Sequence, residues 1–159
     1  MKLYHGSNMR IDTIDLSKSK PHKDFGQGFY LSDNEEQAWA MASQKVIQTE
    51  VGTETLNVYE FDEKNLTAGR LHVLRFDEYT KEWAEFVVAN RNRTNRKFVH
   101  DYDIVIGPIA DDKVGVQIRL YNENYIDMSI LLKRLKYIKG ITLKYFFGTQ
   151  RAIQTLKRI

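Results

Sequence analysis

The chain has 159 residues, 42% hydrophobic and 28% charged, with two prolines and nine glycines, which fits one globular domain over 1–159 and excludes a disordered or low-complexity chain. It has no cysteine, which excludes a disulfide framework, a thiolate metal centre and a cysteine nucleophile. The net charge of +3 is unevenly spread: residues 133–159 hold eight Lys or Arg and no acid, while residues 1–132 hold the other 16 basic residues against all 21 acidic ones, net −5.

The N-terminal MKLYHGSNMR has no apolar leader, and no run approaches the roughly 20 apolar residues of a membrane helix. A cytoplasmic protein with no membrane partner is therefore expected. KLYHGS reads as an opening strand, and FGQGFYLS as a second strand entered through two glycines. Ser32 and Asp33 ahead of Glu35 and Glu36 resemble a capping box. The helix they would start carries Ala38, Trp39, Met41, Ala42 and Val46 at helical spacing and runs to Gln48.

TLNVYEF alternates as a strand does, and Asp77 can cap a helix through Trp83, Phe86, Val87 and Asn90. DIVIGP is a short apolar run closed by Gly-Pro, the pattern of a buried strand. DDKVGVQIRLYNE and DMSILLKRLKYI read as helices, the first weakened by Gly115. LKYFFGT is a strand, and Thr149 can cap a last helix with Ala152, Ile153 and Leu156 on one face. The expected class is α+β, a mixed or antiparallel sheet with flanking helices.

Several chemistries are excluded by what is missing. The chain holds no GxxxxGK[ST] loop, no HExxH pair, no GxSxG elbow and no GxGxxG fingerprint. Its histidines, at positions 5, 22, 72 and 100, have no metal-ligand spacing, so no metal cofactor is expected. Two segments remain as candidates: Tyr4-His5-Gly6-Ser7, and Lys20-Pro21-His22-Lys23-Asp24-Phe25-Gly26-Gln27-Gly28-Phe29-Tyr30. His5, Gly6 and Ser7 can offer ring nitrogens, a backbone amide and a hydroxyl to a polar ligand, and an aromatic strand can offer a stacking face to a flat heterocycle. Each segment alone is more often ordinary core or surface.

The ordered series YHGS, KPHKDFGQGFYLS, EWAEFVVANR, HDYDIVIGPIADD and YFFGT with a helix after it resembles the DUF3990 family, over residues 3 to 158. That family looks similar to the diphtheria-toxin-like, His-Tyr-Glu branch of the ADP-ribosyltransferases. The resemblance implies a split, strongly bent sheet with flanking helices around an NAD cleft. It implies that His5 hydrogen-bonds the adenosine-side ribose, Gly6 meets the nicotinamide amide through its backbone, and Tyr30 stacks on the nicotinamide ring. Asp24, Phe25, Gly26 and Gly28 would shape the loop beside it. Asn90 and Arg91 match a family motif and either face the cleft or cap their helix.

Gln150 stands where the family commonly has Glu. In the resembled enzymes that glutamate holds the 2′-hydroxyl of the nicotinamide ribose and faces the positive charge that develops as nicotinamide leaves. A neutral Gln keeps the hydrogen bond and loses the charge, at a cost on the order of 10²–10³ in rate. Glu82 and Glu85 are the alternative carboxylates. The resemblance implies a mono-ADP-ribosyltransferase toxin using NAD as substrate, held by an antitoxin protein and tied to phage defence. An NAD glycohydrolase and a non-catalytic binding module are the alternatives. The basic stretch Arg91–Lys97 and the basic C-terminal part suit RNA or ssDNA as acceptor, and a protein acceptor is equally open.

Overall fold

The computed structural model describes residues 1–94, 99–136, 138 and 140–159. The strands are β1 (Lys2–Ser7), β2 (Phe29–Ser32), β3 (Thr55–Phe61), β4 (Val73–Arg75), β5 (Ile104–Pro108), β6 (Leu143–Phe147) and β7 (Leu156–Arg158). The helices are α1 (Glu35–Thr49), α2 (Lys81–Arg91), α3 (Asp112–Asn122), α4 (Met128–Leu135) and α5 (Gln150–Ile153). The strands form one mixed sheet in the order β4-β5-β6-β2-β1-β3-β7. Every pairing is antiparallel except β4 with β5. The fold is α+β, as the mixture of periodicities predicts.

Strand alternation sorts the core into two layers, because successive side chains leave a strand on opposite faces. Leu3, Phe29, Leu31, Tyr59, Phe61, Ile104, Ile106, Tyr145 and Phe147 make one face. Val105 and Phe146 turn the other way, onto Phe25 and the apolar faces of α2, α3 and α4, with Trp83, Val87, Val114, Ile118, Leu131 and Leu135. The indole Nε1–H of fully buried Trp83 donates to the Pro108 carbonyl at 2.8 Å, fixing α2 to the end of β5.

α1 rests on β1 through its small residues. Ala38 and Ala42 are buried, whereas Trp39 and Met41 are 42% and 47% exposed. Gly6 explains the choice: a Cβ there would overlap the Ala38 carbonyl oxygen and lie 2.7 Å from the Ala42 nitrogen. Helix backbone therefore lies directly on strand backbone, which only small residues permit.

Several boundaries differ from the sequence expectation. Asn34, not Ser32 or Asp33, caps α1, its Oδ1 accepting from Gln37 N at 3.0 Å, because Ser32 stays in β2 and donates its hydroxyl to Gln37 Oε1. Thr80 caps α2, because the Asp77 carboxylate is engaged by Arg75 at 2.7 Å. The second strand starts at Phe29 rather than Phe25, since residues 24–28 form the loop before it. α4 stops at Leu135. Leu156 is not on the last helix: α5 ends at Ile153, and Leu156 pairs with Phe61 across β3 and β7. β4 was not expected. None of the described helices is long and apolar enough to cross a membrane.

Candidate functional site

The sheet has a weak seam. β1 keeps six register pairs with β3 and β2 keeps four with β6, yet β1 and β2 meet only at Tyr4↔Ser32. Beyond that pair the two strands separate, and the His5 ring enters the gap. Its Nδ1 lies 2.7 Å from the Tyr30 carbonyl oxygen, and the ring stacks on Phe29 with centroids 4.4 Å apart. A carbonyl can only accept, so Nδ1 carries the hydrogen and Nε2 keeps its lone pair. Burial lowers the His5 pKa to about 4, overriding the opposite pull of the Tyr30 carbonyl. At neutral pH His5 is thus an uncharged hydrogen-bond acceptor, suited to a ligand hydroxyl.

The loop before β2 is held by its own polar groups. The Tyr30 hydroxyl donates to Gly26 O at 2.7 Å and accepts from Phe25 N at 3.1 Å, and burial raises its pKa above the ordinary phenol value. Gly26 takes φ 93°, which favours glycine. Asp24 ties this loop to two other elements. It accepts from Arg91 Nε at 2.7 Å, at the end of α2, and from Ala110 N at 2.8 Å, after β5. Lys23 Nζ lies 4.8 Å from the Tyr30 ring centroid, a cation over an aromatic face.

These groups surround a cleft of about 550 Å³, lined by His5, Gly6, Lys23, Asp24, Tyr30 and Arg91 together with His22, Met41, Arg93 and Lys144. That volume lies in the range of small-molecule sites. Four of its lining side chains are Lys or Arg, and Asp24, its one carboxylate among the described lining residues, is spent on Arg91 and Ala110 N. The cleft therefore favours an anion.

A second cavity, about 590 Å³, lies on the other side of His22 and Arg93, which line both. Its walls include Phe25, Gly26, Asn90, His100, Tyr102, Phe146 and Thr149. Here His100 is structural: Nε2 donates to Phe25 O at 2.7 Å and Nδ1 accepts from Tyr102 N at 3.1 Å, which fixes a neutral ring whose pKa burial also lowers.

The structure thus gathers His5, Gly6, Asp24, Tyr30 and Arg91 at one cleft. It leaves the remaining candidates elsewhere. Ser7 is buried, with its hydroxyl on Asn8 Oδ1 at 3.4 Å. Phe25 is core, Gly28 packs against the Phe146 ring, and Asn90 donates to Phe86 O at 2.8 Å. Gly26 and Asn90 face the second cavity.

Gln150 lines neither cavity; it is exposed in the first turn of α5. Its position is set by Asp103. That carboxylate accepts from Thr149 Oγ1 at 2.5 Å, from Arg151 Nε and Nη2 at 2.6 and 2.7 Å, and from His72 N at 2.7 Å. Burial pushes the Asp103 carboxyl up, but these donors outweigh it and hold the pKa at about 2. Glu82 and Glu85 are exposed on α2, where Glu85 pairs with Lys81 at 3.7 Å, and they line neither cavity. Of the basic stretch Arg91–Lys97, residues 95–97 lie outside the described residues, as does Lys139 of the basic C-terminal part. No cluster of three or more His, Asp or Glu able to hold a metal occurs among the described residues.

Lys144, which lines the cleft, and Asp103, which holds the start of α5 outside it, escaped sequence reasoning. Lys144 had a visible signal, a charged residue inside the apolar strand LKYFF. Asp103 had none, since its partners come from two segments far from it in the sequence, one at His72 and one at Thr149 and Arg151.

The chain matches, over residues 1–158, the family described as Protein of unknown function (DUF3990), and it belongs to that family. No curated protein and no solved structure matches it.

Proposed function

We propose that this DUF3990 chain is an ADP-ribosyltransferase-type domain whose cationic cleft binds NAD, and that its activity is transfer of ADP-ribose to a macromolecule, as in a toxin held by an antitoxin. One observation supports the reading above the others. A neutral His5 with a free Nε2 lone pair, the Tyr30 ring and an excess of Lys and Arg converge on one cleft. A dinucleotide offers ribose hydroxyls for the first, a flat ring for the second and a pyrophosphate for the third.

In the proposed reaction the bond between the ribose C1′ and the nicotinamide nitrogen breaks, and nicotinamide leaves with the electron pair. An acceptor oxygen or nitrogen attacks C1′ and gives up its proton. Water in the acceptor's place makes the same chemistry an NAD glycohydrolase. Negative charge near C1′ would stabilise the cationic sugar. Asp24, the one carboxylate among the described residues lining the cleft, is engaged elsewhere, and Gln150 lines neither cavity, and this favours a second reading, a module that binds NAD without turning it over.

The test is a matched assay of this chain and Gln150→Glu with labelled NAD and separate protein, RNA and DNA pools. Label in one pool with the Glu version alone supports transfer and names the acceptor class. NAD bound but consumed by neither version supports the binding module. No binding of NAD by either overturns the proposal.

A further inference from the structure

Lys144 is a buried cation that nothing so far has explained. It sits in β6, in register with Ser32 of β2 and Gly107 of β5, on the row where the two halves of the sheet join through Tyr4 and Ser32. Directly paired residues share a face, so Lys144 lies on the same side as Tyr4 and one pleat from Tyr30 and Phe146. Its residue exposure is 9%. The ammonium donates to Gln37 Oε1 at 2.5 Å, and Gln37 Oε1 also takes the Ser32 hydroxyl at 3.0 Å.

A neutral amide oxygen shared between two donors is poor compensation for a desolvated charge. Among the described residues no carboxylate stands within ion-pair distance of Lys144; Asp33 acts on it only through space. Burying an ammonium without a counter-charge is costly, and a protein loses little by replacing it with an apolar residue unless the charge serves something else. Lys144 lines the same cleft as His5, Lys23, Arg91 and Arg93. Of these cations, Arg91 already has Asp24 as a partner, and Lys23 lies over the Tyr30 ring.

We infer that Lys144 is the anion anchor of the cleft, and that the group it receives is the pyrophosphate of the dinucleotide. The inference rests on the NAD reading for the identity of the ligand, and on geometry and charge alone for the anion. Burial lowers the Lys144 pKa to about 8, so the side chain is still mainly cationic at neutral pH. The cost of keeping it there falls on the empty protein, and a bound diphosphate recovers it. The amide of Gln37 then orients the ammonium.

The experiment is calorimetric titration of inorganic pyrophosphate and of ADP-ribose into the wild-type chain, Lys144→Met and Lys144→Arg, with the melting temperature of each protein measured without ligand. Lys144→Met is expected to bind both ligands at least tenfold more weakly, and to melt at or above the wild-type temperature. Lys144→Arg is expected to stay within about threefold of wild type. Unchanged affinity in Lys144→Met overturns the assignment. So does melting below wild type, which would make Lys144 a structural tie between β6 and α1.

A parallel NAD titration of wild type, Lys144→Met and His5→Ala separates this inference from the reading beneath it. NAD binding that depends on His5 but not on Lys144 removes the anchor and leaves the NAD reading. Pyrophosphate binding that depends on Lys144, with no binding of ADP-ribose or NAD, leaves the anion site and removes NAD as its ligand.

Discussion

Acidification should weaken this fold through His5 by an amount that can be worked out. The half-buried ring has its pKa lowered to about 4, against about 6.5 in an unfolded chain. The folded form therefore stays neutral while the unfolded form takes up a proton as the pH falls below 6.5. Stability from this group is complete above pH 6.5, is lost between pH 6.5 and 4, and changes no further below that. The full span is about 3 kcal/mol, of which about 2 kcal/mol is lost between pH 7 and pH 5. For a chain of this size that is a fall in Tm of roughly 4–8 °C.

Urea unfolding at pH 7, 6 and 5, on the wild type and on His5→Gln, isolates the effect. His100, also lowered by burial, is present in both proteins and cancels in the difference. The stability gap between the two proteins should shift toward His5→Gln by about 2 kcal/mol from pH 7 to pH 5. A gap that does not move with pH would refute the neutral His5, and with it the Nε2 lone pair offered to a ligand hydroxyl.

Other substitutions probe the frame around the cleft. Gly6→Ala should cost about 3 kcal/mol or more in urea unfolding, because its Cβ meets α1 backbone, which cannot swing aside as a side chain can. A cost under about 1 kcal/mol would show that α1 is seated more loosely on β1. Asp103→Ala should cost about 1–3 kcal/mol by the same measurement, since it leaves the Thr149 hydroxyl and His72 N without their shared acceptor, whereas the exposed Arg151 guanidinium is taken up by water. The Asp103 contribution is present above pH 3.8 and fades as pH falls toward 2, so the wild-type advantage over Asp103→Ala should persist at pH 5; its loss there would contradict the network. Raising salt from 0.05 to about 0.5 M should weaken ADP-ribose binding several-fold, through screening of Lys23, Arg91, Arg93 and Lys144. Salt-independent affinity would argue against a cationic cleft.

The fold class was readable because alternation in TLNVYEF and apolar continuity in DIVIGP mark strands whatever surrounds them. The helix starts were less readable. Ser32, Asp33 and Asn34 can all cap a helix, and the choice fell to Asn34 because Ser32 is tied to Gln37, a contact made only after the helix forms. Asp77 lost to Thr80 for a similar reason, its carboxylate being drawn to Arg75. Leu156 fits a helical face by spacing, yet β3 offers an open edge at Phe61, and pairing there wins. β4 is three residues long and exists only because β5 lies beside it.

At the site, His5, Gly6, Asp24 and Tyr30 were legible because they lie in two short, unusual segments. Arg91 entered through the family motif, and its partner Asp24, 67 residues away, became visible only in the fold. Gly6 carries a lesson about function and packing together: its missing side chain is demanded by α1, so its presence alone is no evidence for a ligand. Gln150 is the reverse case. Its place in the family pattern suggests chemistry, while the described cleft is lined without it.

Calorimetric titration of NAD into the wild type, His5→Ala and Tyr30→Ala decides whether His5 and Tyr30 form the proposed NAD-binding cleft. The wild type is expected to bind NAD measurably and each variant at least tenfold more weakly, with His5→Ala still folded at pH 7. No binding by the wild type, or equal affinity in all three proteins, would contradict that assignment.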